Sequence, residues 1–129
     1  MSDTYDVAIV GGGPAGASAA IFAARAGLRT SFEAEQVVLT TGASVALARE
    51  AGLTTRTATE PHIKEAVVVD AQGRTSVPGV WAAGTAAGVS VHVIVTAGDG
   101  ARVVLNIIST RKGQRHVDHD VLGWAALSL

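Results

Sequence analysis

The sequence predicts an α/β fold with a mostly parallel sheet, and three observations predict it. The apolar run at 7–10 ends in Gly11-Gly12-Gly13, and an alanine-rich stretch follows at 15–26. A β-branched run at 36–41 (QVVLTT) ends at Gly42, and another short apolar run at 80–83 ends at Gly84. A helical period then occupies about 91–111. Strand, glycine turn and helix in succession mark parallel strands joined by crossovers.

The first unit carries the glycine pattern around which the rest of the chain is arranged. Gly11, Gly13 and Gly16 form G-x-G-x-x-G between a strand and a helix, the setting in which the pattern reads as a dinucleotide fingerprint. Gly11 makes the turn, Gly13 lets the backbone approach a pyrophosphate, and Gly16 lets the helix lie close on the strand. Pro14 suits the first helical turn, where its missing N–H is not needed. The unpaired amides from Ala15 onward, with the positive end of the helix dipole, make an anion site.

Gly27 is a stop signal, and 28–35 is expected to return as an extended segment. Dinucleotide folds place an acid about 20 residues past the glycines to bind ribose hydroxyls. Glu33 and Glu35 fall there, with a solvated surface role as the alternative. Residues 44–51 suggest a short helix capped by Ser44 and closed by Gly52. No firm period marks 53–62, which reads as a loop.

A strand is expected at 66–69, with turns at 70–73 and 77–79. In the long helix, apolar or small residues at 93, 94, 97, 101, 104, 105 and 108 follow the helical period. Asp99, Arg102 and Asn106 tend to the other side. Ser90 is a candidate cap and Gly113 a candidate stop. The reading is one domain at 1–113 and a tail at 114–129.

Composition narrows the function. With 48% hydrophobic and 16% charged residues the chain is globular, and a net charge of −1 argues against nucleic acid or an anionic membrane as partner. The charge-free stretches at 7–24 and 75–98 are long enough to span a membrane. Their glycines and prolines fit buried strand–turn–helix units better, so the cytoplasm is the expected compartment. The absence of cysteine excludes a disulfide, a thiolate metal site and a dithiol redox centre within these residues. His116, Asp118, His119 and Asp120 are suitable metal ligands, but a solvated tail is the stronger reading and no metal is expected.

Three segments resemble the FAD-binding half of the thioredoxin reductase-like pyridine nucleotide–disulfide oxidoreductases: DVAIVGGGPAGASAAIFAARAGL at 6–28, VVLTTGA at 37–43, and TSVPGVWAAGTAAGVSVHVIVTAGDGARVVLNI at 75–107. The resemblance implies a Rossmann-like FAD-binding three-layer fold, reduced in size. It places the FAD pyrophosphate on Gly11, Gly13, Pro14, Ala15 and Gly16, and associates Gly42 with the second motif. Gly84 and Thr85 lie near the ribityl chain, and His92 and Val93 face the flavin pyrimidine edge.

Two departures accompany it. Thr85 stands where the family has aspartate, and about thirty residues separate Gly42 from Thr75, too few for a nicotinamide nucleotide domain. Near Thr30 a similar shortening makes 31–36 read as the lead-in to VVLTTG, so that Glu33 and Glu35 are not equivalents of the ribose acid. The implied function is an FAD-dependent oxidoreductase domain that draws electrons from a reductase partner, a free reductant or a second subunit. The apolar tail at 121–129 is then placed at a homo-oligomer interface. The alternative is a non-catalytic nucleotide-binding module that acts as an interaction or oligomerisation unit.

Overall fold

A computed structural model describes residues 4–29 and 34–117. Nine elements follow in chain order: β1 (Tyr5–Val10), α1 (Pro14–Arg25), β2 (Ala34–Leu39), α2 (Ala46–Glu50), β3 (Thr55–Thr57), β4 (Glu65–Val67), β5 (Val80–Ala82), a 3-10 turn (Gly84–Ala87) and α3 (Val93–Lys112). The main sheet has the order β1-β2-β5 and is parallel throughout. The expected α/β class with a parallel sheet is what the chain adopts.

β2 is the central strand, with Val38 opposite Ile9 on one side and Trp81 on the other. A strand buried on both faces has no polar side to alternate with, which is why its C-terminal half reads as a continuous apolar run. One face of the sheet packs on α3 through Val7, Val38, Trp81, Val103 and Ile107. The other packs Leu39 and Ala82 against Val45 and Ala48 of the α2 region and Val67 of β4. Helices, sheet and a thin layer of α2 with the β3–β4 ribbon make three layers.

α1 and α3 run side by side. Ala15 touches Gly100, while Ala19 and Ala23 cluster with Val104 and Ile108. Both series climb in steps of four, so the two helices point the same way and meet through one stripe each. Alanine and glycine along this seam allow the close approach. A methyl at Gly100 would stand 2.0 Å from the Ala15 carbonyl oxygen.

Three expectations are corrected. The 53–62 region contains β3, which pairs antiparallel with β4; the pairing creates this strand, because Thr55-Arg56-Thr57 has no apolar alternation of its own. The long helix begins at Val93, with Gly113 closing it in the left-handed conformation at φ 67°. Its first turn projects past the sheet, so Val93 and Ile94 are 67% and 81% exposed, whereas Asp99 and Asn106 are buried. That polar side is covered by the 70–73 turn: Arg102 donates to the Ala71 carbonyl at 2.6 Å and Asn106 to that of Gln72 at 2.9 Å. By length and composition α3 could cross a membrane, but half of it is buried within the fold.

Candidate functional site

In a parallel sheet every strand ends at the same edge, and each following helix starts there. At this edge lie the Gly11–Gly13 turn, Thr40, the Gly84–Thr85 turn and the starts of α1 and α3. The Ala15–Gly100 contact sets the stagger: Gly100 is seven residues into α3, so the α3 mouth projects about 9 Å beyond that of α1. Neither helix has an acidic residue in its first turn. Their free amides and positive dipole ends are therefore not offset by carboxylates of their own.

The glycines divide by role. Gly11 has φ +110°, and a side chain there would meet the Thr40 carbonyl oxygen at 2.2 Å; Gly16 would meet the Gly11 carbonyl oxygen at the same distance. These two let β1, the turn and α1 close on β2. A Cβ at Gly12 or Gly13 meets nothing within 4 Å. The outer wall of the turn thus offers backbone to anything that docks on it, which fits a pyrophosphate group. Pro14 opens α1, and Ala15 is buried against Gly84 and Gly100.

Thr40 holds this turn from below. It is 5% exposed, and its Oγ1 is within hydrogen-bond distance of the carbonyl oxygens of Val10 (2.9 Å) and Gly11 (3.1 Å). Sequence alone gives no signal for the role, because a threonine at a strand end is also an ordinary β former. Gly42 lies beyond it, exposed at φ 67°.

Gly84 stands at φ +69°, and its amide donates to the buried Asp99 carboxylate at 2.8 Å. Asp99 is paired in turn with Arg102 at 2.9 Å. Asp99 is a second site residue that periodicity missed, having placed it on the polar side of the helix. Thr85 Oγ1 donates to the Ser90 carbonyl at 2.8 Å, leaving its lone pairs as acceptors. His92 takes the N-cap position of α3, and Ser90 precedes it: Ser90 Oγ accepts the His92 amide at 3.1 Å. Val93 is exposed beside it.

The candidate ribose acids do not join this group. Glu33 lies outside the described residues. Glu35 sits near the start of β2, whose neighbour Ala34 pairs with Tyr5, at the opposite edge of the sheet from the glycine turn. There its carboxylate lies 3.6 Å from Arg111. The reason is the shortened connection: residues 34–39 form the strand beside β1 itself and lead straight into the Thr40 turn. Among the described residues no set of His, Asp and Glu could hold a metal; Asp118, His119, Asp120 and the apolar tail lie outside them.

No family model matches the chain. It is 65% identical over 34 residues to a Pseudomonas aeruginosa alkyl hydroperoxide reductase subunit, covering 26% of this chain and 6% of that protein. The corresponding Pseudomonas putida protein is 45% identical over 69 residues, 49% of this chain and 13% of the relative. An NADH dehydrogenase of Bacillus subtilis is 62% identical over 34 residues, 26% of this chain and 7% of that one. The chain therefore spans a small fraction of the curated relatives it matches. Among solved structures, a thioredoxin reductase from Gloeobacter violaceus superimposes with TM-score 0.64 at 15% identity, covering 93% of this chain and 99% of that one. The fold is thus thioredoxin reductase-like, and the local sequence matches fall in redox proteins.

Proposed function

We propose that this thioredoxin reductase-like chain is an FAD-binding oxidoreductase domain. The observation that carries the reading is the shared edge. Two helix mouths, both free of acidic side chains in their first turns, open side by side with an unobstructed glycine backbone between strand and helix. In this reading the amides of Gly12, Gly13, Ala15 and Gly16 hold the pyrophosphate, Gly84 and Thr85 flank the ribityl chain, and His92 and Val93 meet the flavin pyrimidine edge. The bound flavin supplies the redox chemistry. The chain's own residues bind it, orient it, and place the α3 dipole where negative charge is favoured.

In this reading electrons reach the flavin from outside residues 1–129, through a reductase partner, a free reductant or a second subunit, with the cytoplasm as the proposed compartment. One observation favours the second reading, a non-catalytic nucleotide or interaction module. β1 is a terminal strand of the three-stranded sheet, so among the described residues no strand acid reaches the adenosine ribose. The experiment is reconstitution followed by gel filtration. A yellow protein that keeps a flavin spectrum supports the first reading. A colourless protein after incubation with FAD favours the second, and retention of NAD in place of FAD overturns the cofactor assignment.

A further inference from the structure

Between the Gly84–Thr85 turn and the α3 mouth, one buried residue makes contacts that neither motif explains. Ser90 is 5% exposed, follows the left-handed Gly88, and is held by two elements at once. Its carbonyl accepts the Thr85 hydroxyl at 2.8 Å. Its Oγ accepts the His92 amide at 3.1 Å and lies 2.9 Å from His92 Nδ1.

A hydroxyl has one hydrogen to donate. The backbone amide of His92 is only a donor, so it consumes a lone pair of Ser90 Oγ and not that hydrogen. Among the described residues Nδ1 is the acceptor within reach of the Ser90 hydrogen. Were the proton on Nδ1, two donors would converge on Oγ and its own hydrogen would be stranded in a buried site. With Nδ1 unprotonated, every group is matched. The imidazole proton then resides on Nε2, on the side of the ring away from Ser90, in a side chain that is itself exposed.

We infer that Ser90 locks His92 in the Nε2–H form, making His92 a fixed hydrogen-bond donor at the mouth of α3 that selects ligands presenting an acceptor there. The ligand half of this inference rests on the proposed FAD site, where the acceptor is a carbonyl or ring nitrogen of the flavin's pyrimidine edge. Ser90 is the positioning residue, and His92 touches the ligand. Because the same serine carbonyl anchors Thr85, the turn beside the ribityl chain and the donor beside the ring move together.

The tautomer is tested without any ligand. Long-range proton–nitrogen NMR correlation on histidine-labelled protein, at a pH well above the ordinary imidazole pKa of about 6.5, distinguishes Nε2–H from Nδ1–H. H92Q assigns the signal, and the remaining histidines serve as internal controls. The expected result is Nε2–H in the unmodified protein and an averaged pattern in S90A. Nδ1–H, or an unchanged pattern in S90A, overturns the inference. FAD titration tests the second half. H92Q, which keeps a donor, binds within about twofold of the unmodified protein. H92F and S90A bind roughly fivefold more weakly, the loss of one neutral hydrogen bond. Equal affinity of H92F overturns the ligand role. A locked Nε2–H with no FAD binding by the unmodified protein sinks the cofactor reading and the ligand role together, and leaves only the tautomer standing.

Discussion

The two edges of the sheet are built from different materials. At the edge where the strands end, the walls are mostly glycine, alanine and threonine with the Asp99 carboxylate behind the Gly84 amide, and the groups on offer are backbone amides and the His92 imidazole. At the edge where the strands begin, side-chain charge does the holding. Arg111 joins Asp6 at 2.7 Å and lies 3.6 Å from Glu35, Arg74 lies over the Trp81 ring, and Trp81 Nε1 donates to Gln36 at 2.7 Å. A cavity of about 360 Å³ at this second edge is walled by Gln36, Arg74, Trp81 and Thr110. Helix polarity explains the division. Arg111 and Lys112 in the last turn of α3, and Arg25 in that of α1, sit where cations are favoured, while the first turns carry no acidic residue.

The contrast can be broken most forcefully at the helix seam. Gly100→Ala puts a methyl 2.0 Å from the Ala15 backbone, so the helices must part. The expected loss is about 2–3 kcal/mol in urea unfolding, with FAD binding abolished. Unchanged stability would mean that the seam is looser than the distances say.

Gly12→Ala separates binding from folding, because nothing lies within 4 Å of the added methyl. FAD affinity should fall roughly tenfold while stability changes by no more than about 1 kcal/mol. A variant that binds normally would move the diphosphate away from this turn.

Thr40→Val removes the hydroxyl that reaches both Val10 and Gly11 and keeps the shape. About 1 kcal/mol of stability should go, together with part of the FAD affinity. A loss of stability alone would make Thr40 a support of the fold and no part of the cradle.

The smallest effect belongs to the charged edge. Arg111→Ala should cost about 0.5 kcal/mol, since the pair is partly solvated, and leave FAD affinity unchanged. It should also alter the acid limb of stability. The Arg29 amide, and after it Arg111, hold the Asp6 carboxyl below its ordinary value of 3.8. A lowered folded-state pKa gives stability that is present above the unfolded value and lost as pH falls through the folded one. Melting temperature should therefore drop on acidification below about pH 4, and less steeply in the Arg111 variant. Equal slopes would remove Arg111 from the acid response.

How legible each part was depended on whether its cause is local. The glycine turn, α1, β2 and the end of α3 were readable because a turn, an alanine run, a β-branched run and Gly113 act within a few residues of themselves. β3 was not, since Thr55–Thr57 becomes a strand only beside Glu65–Val67. Asp99 and Asn106 were assigned to the polar side of α3 correctly, but the 70–73 turn covers that side, and no period within the helix encodes a distant loop.

The sequence by itself determined that this chain is a set of strand–glycine–helix units with an anion-ready first turn, because backbone conformation and amphipathic period are short-range properties. The tertiary structure decided which units share an edge. It sent Glu35 to the far end of the sheet, slid Thr40 under Gly11, and lined α1 up with α3 so that their amide ends face the same side. Those outcomes depend on strand order and on how closely two helices approach, which are set by contacts between residues 29 to 85 positions apart.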